Sequence, residues 1–374
     1  MAAGPAVLLT MPYPIEPPFS GAAVRMRHLV KILQEAGLTC TVVAPLGEGG
    51  AVPRAEKEMG ATLWPIPSRP RVRHFLNPSL MRGSLIAARQ GAHLFILGFP
   101  YQIFSLWPIA KRFRIPILLD EHNIEWLRFR DLHGRLAGVS MRWVEQLAIR
   151  RAAAVSCVST ADQAGLRACF GVNAILAPNG VDTAHFQPGP PDPLLRAMHA
   201  IEDNHHVLLF FGPFDYLPNR EAATFLRDCL LPAVVRAHPN TTLVLAGRNP
   251  PALAAHPNLR ITGPVPDMVP YLQLADLVLV PLLQGGGTRL KILEAMACGR
   301  CVIATPRGAA GLDIAPGSII LPDLDQFEGT VVDLLKDADA RAAIGNAARQ
   351  ASLAHDWRLT LQDFVRLVRR FTDS

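Results

Sequence analysis

Along the 374 residues, short apolar runs alternate with stretches whose apolar positions recur at helical spacing. Val7 to Thr10, Thr39 to Ala44, Leu94 to Leu97, Ile117 to Asp120 and Val155 to Val158 read as strands buried on both faces of a parallel sheet. Val24 to Glu35 puts Leu29, Ile32 and Leu33 on one helix face, and Arg135 to Arg151 reads as a second helix. This alternation predicts an α/β doubly wound sheet. Thr183 to Leu195, containing HFQPGPPDP, then reads as a linker because Pro and Gly break both periodicities. A second series follows, with strands at Val207 to Phe211, Thr242 to Ala246, Leu259 to Thr262, Leu277 to Val280 and Cys301 to Ala304. Helices at Arg220 to His238 and Arg289 to Cys298 fit between them, and the C-terminal stretch, ending in DWRLTLQDFVRLVRRF, reads as all-helical.

The chain is longer than one core usually holds, so the pattern predicts two Rossmann-like α/β domains facing across a cleft, at 1–182 and 183–355. A terminal helix at 356–374 would cross back to the first. Open sheets of this kind bind ligands at the carboxyl ends of their strands.

Composition narrows the function. Half of the residues are apolar and 18% are charged, which fits a folded globular chain. A net charge of +6 is compatible with an anionic ligand or a membrane surface but falls short of a nucleic-acid footprint. Of the six cysteines, Cys298 and Cys301 form a C-x-x-C pair. No second pair or His cluster completes a zinc site, and the pair straddles a helix end and the next strand, which suits small buried side chains. A reducing compartment follows. The N-terminus, MAAGPAVLLTMPYP, lacks a basic start, and its apolar run is too short for a signal peptide. Leu94 to Ala110 is broken by Pro100 and Pro108 and reads as strand, turn and helix rather than as a membrane span. A cytoplasmic location is expected, with the inner face of the membrane within reach.

The chemistry concentrates in QGGGTRLKILEAMACGR, Gln284 to Arg300. Gly285, Gly286 and Gly287 let a backbone approach a ligand closely. Thr288 opens a helix whose unpaired amides and dipole favour an anion. Arg289 and Lys291 add charge-assisted hydrogen bonds. Glu294, about a turn and a half further in, would repel that anion but suits a diol. Phosphate together with sugar means a nucleotide. The alternative is a glycine-rich surface turn with solvated charges. A Walker A loop is absent.

GGGTRLKILEAMACGRCVIATPRGAAGL resembles the donor-site signature of family 4 glycosyltransferases, which have the GT-B fold. The resemblance extends through PYPIEPPFSGAAVRMRHLVKIL, LLDEHNIEW, PNGVDTAHF, FFGPFDYLPNREA, LVLAGRNPP and ITGPVPDMVPYLQLADLVLVPL. It implies transfer of a sugar from a nucleotide-sugar substrate, UDP- or GDP-linked, to an acceptor hydroxyl, with retention at the anomeric carbon and with neither cofactor nor metal. Glu294 matches the glutamate that holds the donor ribose. Gly286 stands where the family's first glutamate contacts the transferred sugar, a departure shared by the GGGTRLKILEAMA subgroup. Pro213 and Asn219 stand where the family's diphosphate-binding cations would be, so the resemblance leaves that role to Arg289 and Lys291, with Arg248 as a further candidate. Gly263 to Val265 matches the loop whose backbone reads the base. His122 of DEHN matches a histidine beside the transferred sugar and acceptor, a hydrogen-bonding and proton-accepting role, with Asp120, Glu121 and Glu125 as neighbours able to orient it. Gly21 matches the glycine loop near the donor phosphate or acceptor, and Ala22 replaces the second glycine often found there.

With no nucleophilic carboxylate at the matched positions, same-face attack by the acceptor hydroxyl is the expected course. Arg289 and Lys291 would stabilise the charge that grows on the diphosphate. The acceptor, a glycan or lipid-linked hydroxyl, is less legible. Ser68 to Gly83 mixes Arg with Phe75, Leu76 and Leu80, and either docks on anionic lipid or is an ordinary basic loop and helix. A dinucleotide-dependent oxidoreductase would need GxGxxG after the first strand, where MPYPIEPPFSG stands instead. A nucleotide-binding subunit without activity remains the alternative.

Overall fold

The run Ala6–Thr10 becomes β1, whose Val7, Leu8 and Leu9 are fully buried, as a strand covered on both sides requires. The computed structural model describes residues 4–18, 20–47, 49–66, 75–285 and 288–373, and the chain divides into two units. The first comprises residues up to Asn179 with those from Trp357 onward, and the second is Gly180–Asp356.

In the first unit, β1 is joined by β2 (Thr39–Pro45), β3 (Thr62–Ile66), β4 (Ala92–Leu97), β5 (Ile117–Glu121), β6 (Ala154–Cys157) and β7 (Ile175–Leu176). They form a parallel sheet ordered β3-β2-β1-β4-β5-β6-β7. Its helices are α1 (Gly21–Glu35), α2 (Val52–Met59), α3 (Pro78–Arg89), α4 (Ile103–Phe113), α5 (Glu125–His133), α6 (Arg135–Arg151) and α7 (Thr160–Phe170). The sheet order reverses between β1 and β4, so the loops leaving those two strands diverge and open a crevice at their carboxyl ends. β3 carries Pro65 and lies at the sheet edge, the position at which a strand tolerates a residue without an amide hydrogen.

The second unit contains α8 (Pro193–Met198) and five strands: β8 (His206–Phe211), β9 (Thr241–Ala246), β10 (Leu259–Gly263), β11 (Leu277–Val280) and β12 (Cys301–Ala304). These are parallel in the order β10-β9-β8-β11-β12, with the reversal between β8 and β11. α9 (Leu217–Phe225) runs through a π turn at Leu226–Leu230 into α10 (Leu231–Ala237). The wider turn lets the helix pass Pro232, whose ring would otherwise strike the preceding turn. α11 (Val269–Leu274), α12 (Leu290–Ala297), α13 (Leu324–Lys336) and α14 (Ala338–Leu353) complete the unit. Cys298 and Cys301, at the end of α12 and the start of β12, are buried, and burial pushes both thiols up to about 12. They are packing residues rather than reactive thiolates.

The C-terminal α15 (Trp357–Thr360) and α16 (Gln362–Thr372) belong to the first unit. Trp357 stacks on His28 of α1 with ring centres 4.8 Å apart, and Phe364 and Val368 are buried. Arg369 donates to the carbonyl of Ala36 at 2.7 Å.

The structure describes only part of Ser68 to Gly83. Residues 68–74 lie outside the described ones. Leu80 is in the core of the first unit, and Phe75 packs on Tyr101 and Phe104. Asn77 caps α3 and turns Leu80 inward, so only Leu76 of the apolar residues named for lipid contact stands in solvent.

Candidate active site

The reversal between β8 and β11 brings two loops together at the carboxyl edge of the second unit. The loop after β8 runs through Gly212 to Tyr216, and the loop after β11 leads through Gly285 and Thr288 to α12. Gly212 has φ +137°, and a β-carbon there would lie 3.1 Å from Lys291 Nζ and 3.0 Å from Asn219 Nδ2. Gly285 has φ +103°, and a β-carbon there would collide with the Tyr216 hydroxyl and sit 2.8 Å from Arg289 Nη2. Both glycines thus leave space for the cationic side chains that follow. Gly286 and Gly287 lie outside the described residues.

Lys291 donates from Nζ to Asn219 Oδ1 at 2.9 Å, and its ammonium lies 4.3 Å from the centre of the Phe210 ring. Asn219 donates in turn to the carbonyl of Pro213 at 2.8 Å, which fixes the amide so that its oxygen faces the lysine. Burial pushes Lys291 down to about 7, and neighbouring Arg289 acts in the same direction. Glu294 is one turn further along the same face, and burial pushes its carboxyl up to about 7 while Lys291 opposes the rise. Arg289 is buried, with its Nη2 donating to the carbonyl of Gln284 at 3.3 Å and with Tyr216 bonding the guanidinium. Desolvation lowers its pKa, and Tyr216 partly restores it. Thr288 Oγ1 is buried and makes no hydrogen bond. Buried hydroxyls are rarely left so, and this one sits where an oxygen-rich ligand would satisfy it.

The same edge carries Arg248 after β9 and Gly263 at the end of β10. Arg248 Nη2 reaches Asp215 Oδ2 at 2.6 Å, so its charge is already matched. The carbonyl of Gly263 accepts from the Gly247 amide at 2.9 Å. The Val265 side chain packs against the core.

In the first unit, His122 follows β5, and its Nε2 lies 3.1 Å from Asp120 Oδ2. Of the three acids expected to orient it, Asp120 does so. Asp120 also accepts from Arg25 Nε at 2.8 Å, Arg25 Nη2 at 2.7 Å and Ser156 Oγ at 2.8 Å. Burial alone would raise this carboxyl, but Arg25 and His122 outweigh it and hold it well below the usual carboxylate range. A carboxylate at Nε2 keeps a proton there and presents Nδ1 as an acceptor. Glu125 instead pairs with Arg128 at 2.7 Å. Glu121 is buried without a hydrogen bond to either oxygen, and burial, reinforced by Glu145 and Glu125, raises its pKa far above the usual range. Gly21 is the exposed first residue of α1, where Ser20 accepts from the Ala23 amide at 3.2 Å.

Asn219, Tyr216 and Arg25 went unassigned from the sequence. Asn219 registered only as a missing cation, although a cation lost from one loop invites a search for one supplied by another. Arg25 had a visible signal, a lone charge on an apolar helix face opposite an aspartate ending a buried strand. Among the described residues, no group of three His, Cys, Asp or Glu could hold a metal ion.

Residues 19–185 match the profile of Glycosyltransferase Family 4, and residues 205–337 match Glycosyl transferases group 1. The phosphatidyl-myo-inositol mannosyltransferase of Mycolicibacterium smegmatis is 28% identical over 214 residues, 53% of this chain and 52% of the relative. The chain thus spans about half the length of the curated relatives it matches first. Sucrose-phosphate synthase from Thermosynechococcus elongatus superposes with a TM-score of 0.79 at 19% identity, covering 99% of this chain and 100% of that one. Anabaena HepE in complex with UDP and glucose gives 0.77 at 18% identity, covering 97% and 98%. These likenesses show the fold, two parallel α/β units of the GT-B type.

Proposed function

The chain belongs to the family 4 glycosyltransferases, and from that premise we propose that it transfers a sugar from a nucleoside-diphosphate sugar to an acceptor hydroxyl with retention of configuration and without a metal. The observation that carries this reading is the convergence of Arg289, Lys291 and the unsatisfied Thr288 hydroxyl where β8 and β11 part. A diphosphate there meets two cations and the free amides opening α12, and Glu294 further along that helix accepts from the ribose hydroxyls. As the glycosidic bond breaks, charge grows on the diphosphate, and these fixed groups stabilise it without reorganising. His122, held by Asp120 in the first unit, accepts a hydrogen bond from a hydroxyl of the sugar or acceptor. The base is uracil or guanine, and HepE, solved with UDP, makes UDP the first to try. The name of the M. smegmatis relative makes a lipid-linked inositol the first acceptor to try. The reaction then belongs to glycoconjugate synthesis on the cytoplasmic side of a membrane.

The experiment is a thermal-stabilisation screen of UDP-, GDP- and ADP-sugars, followed by turnover of the hit in the presence of a chelator. One donor raises the melting temperature, nucleoside diphosphate is released, and the product keeps the donor's anomeric configuration. Failure of every donor to stabilise the protein refutes the reading. Stabilisation without release identifies a subunit that binds nucleotide but does not turn it over.

A further inference from the structure

We propose that the outward face of α6, together with the aromatic residues of α4 beside it, docks on an anionic lipid bilayer. α6 buries Met141, Val144 and Ala148, and its one acid, Glu145, also points inward. On the opposite side Leu136, Val139 and Trp143 are 86%, 68% and 61% exposed. Their spacing places them one above another on a single stripe about two turns long. Leu132, at the end of α5, is a further exposed apolar residue, at 58%. Trp143 stacks on Phe104 of α4, with ring centres 6.2 Å apart. A monomeric helix covers such a face or makes it polar, and this one does neither.

The charges decide the partner. The charged residues that α6 exposes are Arg135, Arg142, Arg150 and Arg151, all cations. Beside them Trp107 of α4 lies between Arg151, 4.3 Å from the ring centre, and Lys111, 5.0 Å away. The nearby acid Asp131 is already paired with Arg130 at 2.9 Å. An apolar stripe containing Trp and flanked by arginines matches the boundary between acyl chains and anionic headgroups. A second copy of this chain would bring the same cations together and repel. Glu145 accepts from the Glu125 and Trp126 amides, each at 2.9 Å, and so ties α6 to the start of α5, just after His122. The docked helix is thereby anchored to the segment that follows His122, and an acceptor carried in the bilayer would be presented near that loop.

Vesicle sedimentation of the full chain tests this without donor or acceptor, so its failure and failure of the transfer reading are separate results. The protein should sediment with vesicles of phosphatidylcholine containing one third phosphatidylglycerol, stay in solution with phosphatidylcholine alone, and dissociate as salt is raised. L136Q/V139Q/W143Q, with an unchanged melting temperature, should lower partitioning at least about tenfold. R135Q/R150Q should lower it by about tenfold, and it decides alone if the triple variant does not fold. The proposal is overturned if wild type stays in solution with anionic vesicles at low salt, or if folded variants bind as wild type does. It is also overturned if light scattering shows a dimer that the triple variant dissociates.

Discussion

Replacing Lys291 with methionine separates catalysis from stability. Methionine fills much of the lysine stem's volume against Phe210, so little cavity is left. The loss falls on the leaving group: removing one preorganised donor from such a site costs about 2.7–4 kcal/mol, roughly 10²–10³ in kcat. Stability moves differently. Burial holds Lys291 at about 7, against 10.5 for the free side chain, so the folded state binds this proton less tightly than the unfolded chain does. That cost is fully present below about pH 7 and is relieved as pH rises towards 10.5. Methionine removes it. Glu294, already near 7 with the lysine opposing its rise, goes higher and takes a proton, so no unpaired charge remains. Against this stands the hydrogen bond lost by Asn219, about 1 kcal/mol. The variant should therefore melt no more than about 4 °C below wild type while losing at least about a hundredfold in turnover. Calorimetry gives a second readout. At about pH 8 the lysine is mostly neutral without nucleotide, and a diphosphate beside it restores the charge, so binding takes up close to one proton, seen as a buffer-dependent enthalpy. Lys291→Met abolishes the uptake. Turnover within about tenfold of wild type, or proton uptake equal in the two proteins, refutes the reasoning.

Two further substitutions test the surrounding geometry. Gly285→Ala puts a methyl group against the Tyr216 hydroxyl and Arg289 at φ +103°, a conformation costing a non-glycine residue about 1–2 kcal/mol; nucleoside diphosphate affinity by titration should fall at least about tenfold, and unchanged affinity would remove Arg289 from the site. Asp120→Asn leaves Arg25 buried opposite a neutral amide, at a cost of about 3–5 kcal/mol, whereas Ser156→Ala removes one hydrogen bond to the same carboxylate for about 1 kcal/mol; equal melting temperatures for the two variants would show that the pair does not hold the first unit together.

The central strands were legible because each is a short apolar run covered on both faces, and the pattern alone placed β1, β2, β4, β5 and β6 within a residue or two of where they stand. The edge strands of the first sheet were not. β3 contains Trp64 and Pro65 and buries only part of its surface, and β7 has two residues, so neither shows a buried strand's periodicity. The expected helix from Arg220 to His238 is one rod from Leu217 to Ala237, but its passage through Pro232 depends on a π turn that no local signal marks. For Leu80 the sequence left lipid contact and an ordinary helix both open, because what decides between them is the Asn77 cap, which sets the rotation of α3 and turns Leu80 inward.

The site divides along the same line. Arg289, Lys291 and Glu294 could be found because glycines, cations and a carboxylate were adjacent in sequence. What holds them lies far away in sequence, Asn219 at 72 positions from Lys291 and Tyr216 across the same gap between loops, and only the sheet order unites them. With an asparagine where the family has a cation, Lys291 is left as the ammonium nearest Glu294 on that helix face. One pair coupled by charge then faces both ends of the proposed nucleotide, because the lysine that attracts phosphate also opposes the rise of the carboxyl that would accept from the ribose. Binding a diphosphate would charge the lysine, and a charged lysine would favour the ionised glutamate, the better acceptor for a diol. Phosphate and ribose are therefore expected to bind with positive coupling. The coupling is measurable as a larger affinity loss on removing the phosphates from a nucleoside diphosphate in wild type than in Glu294→Gln, and equal losses would mean that the two ends of the nucleotide are read independently.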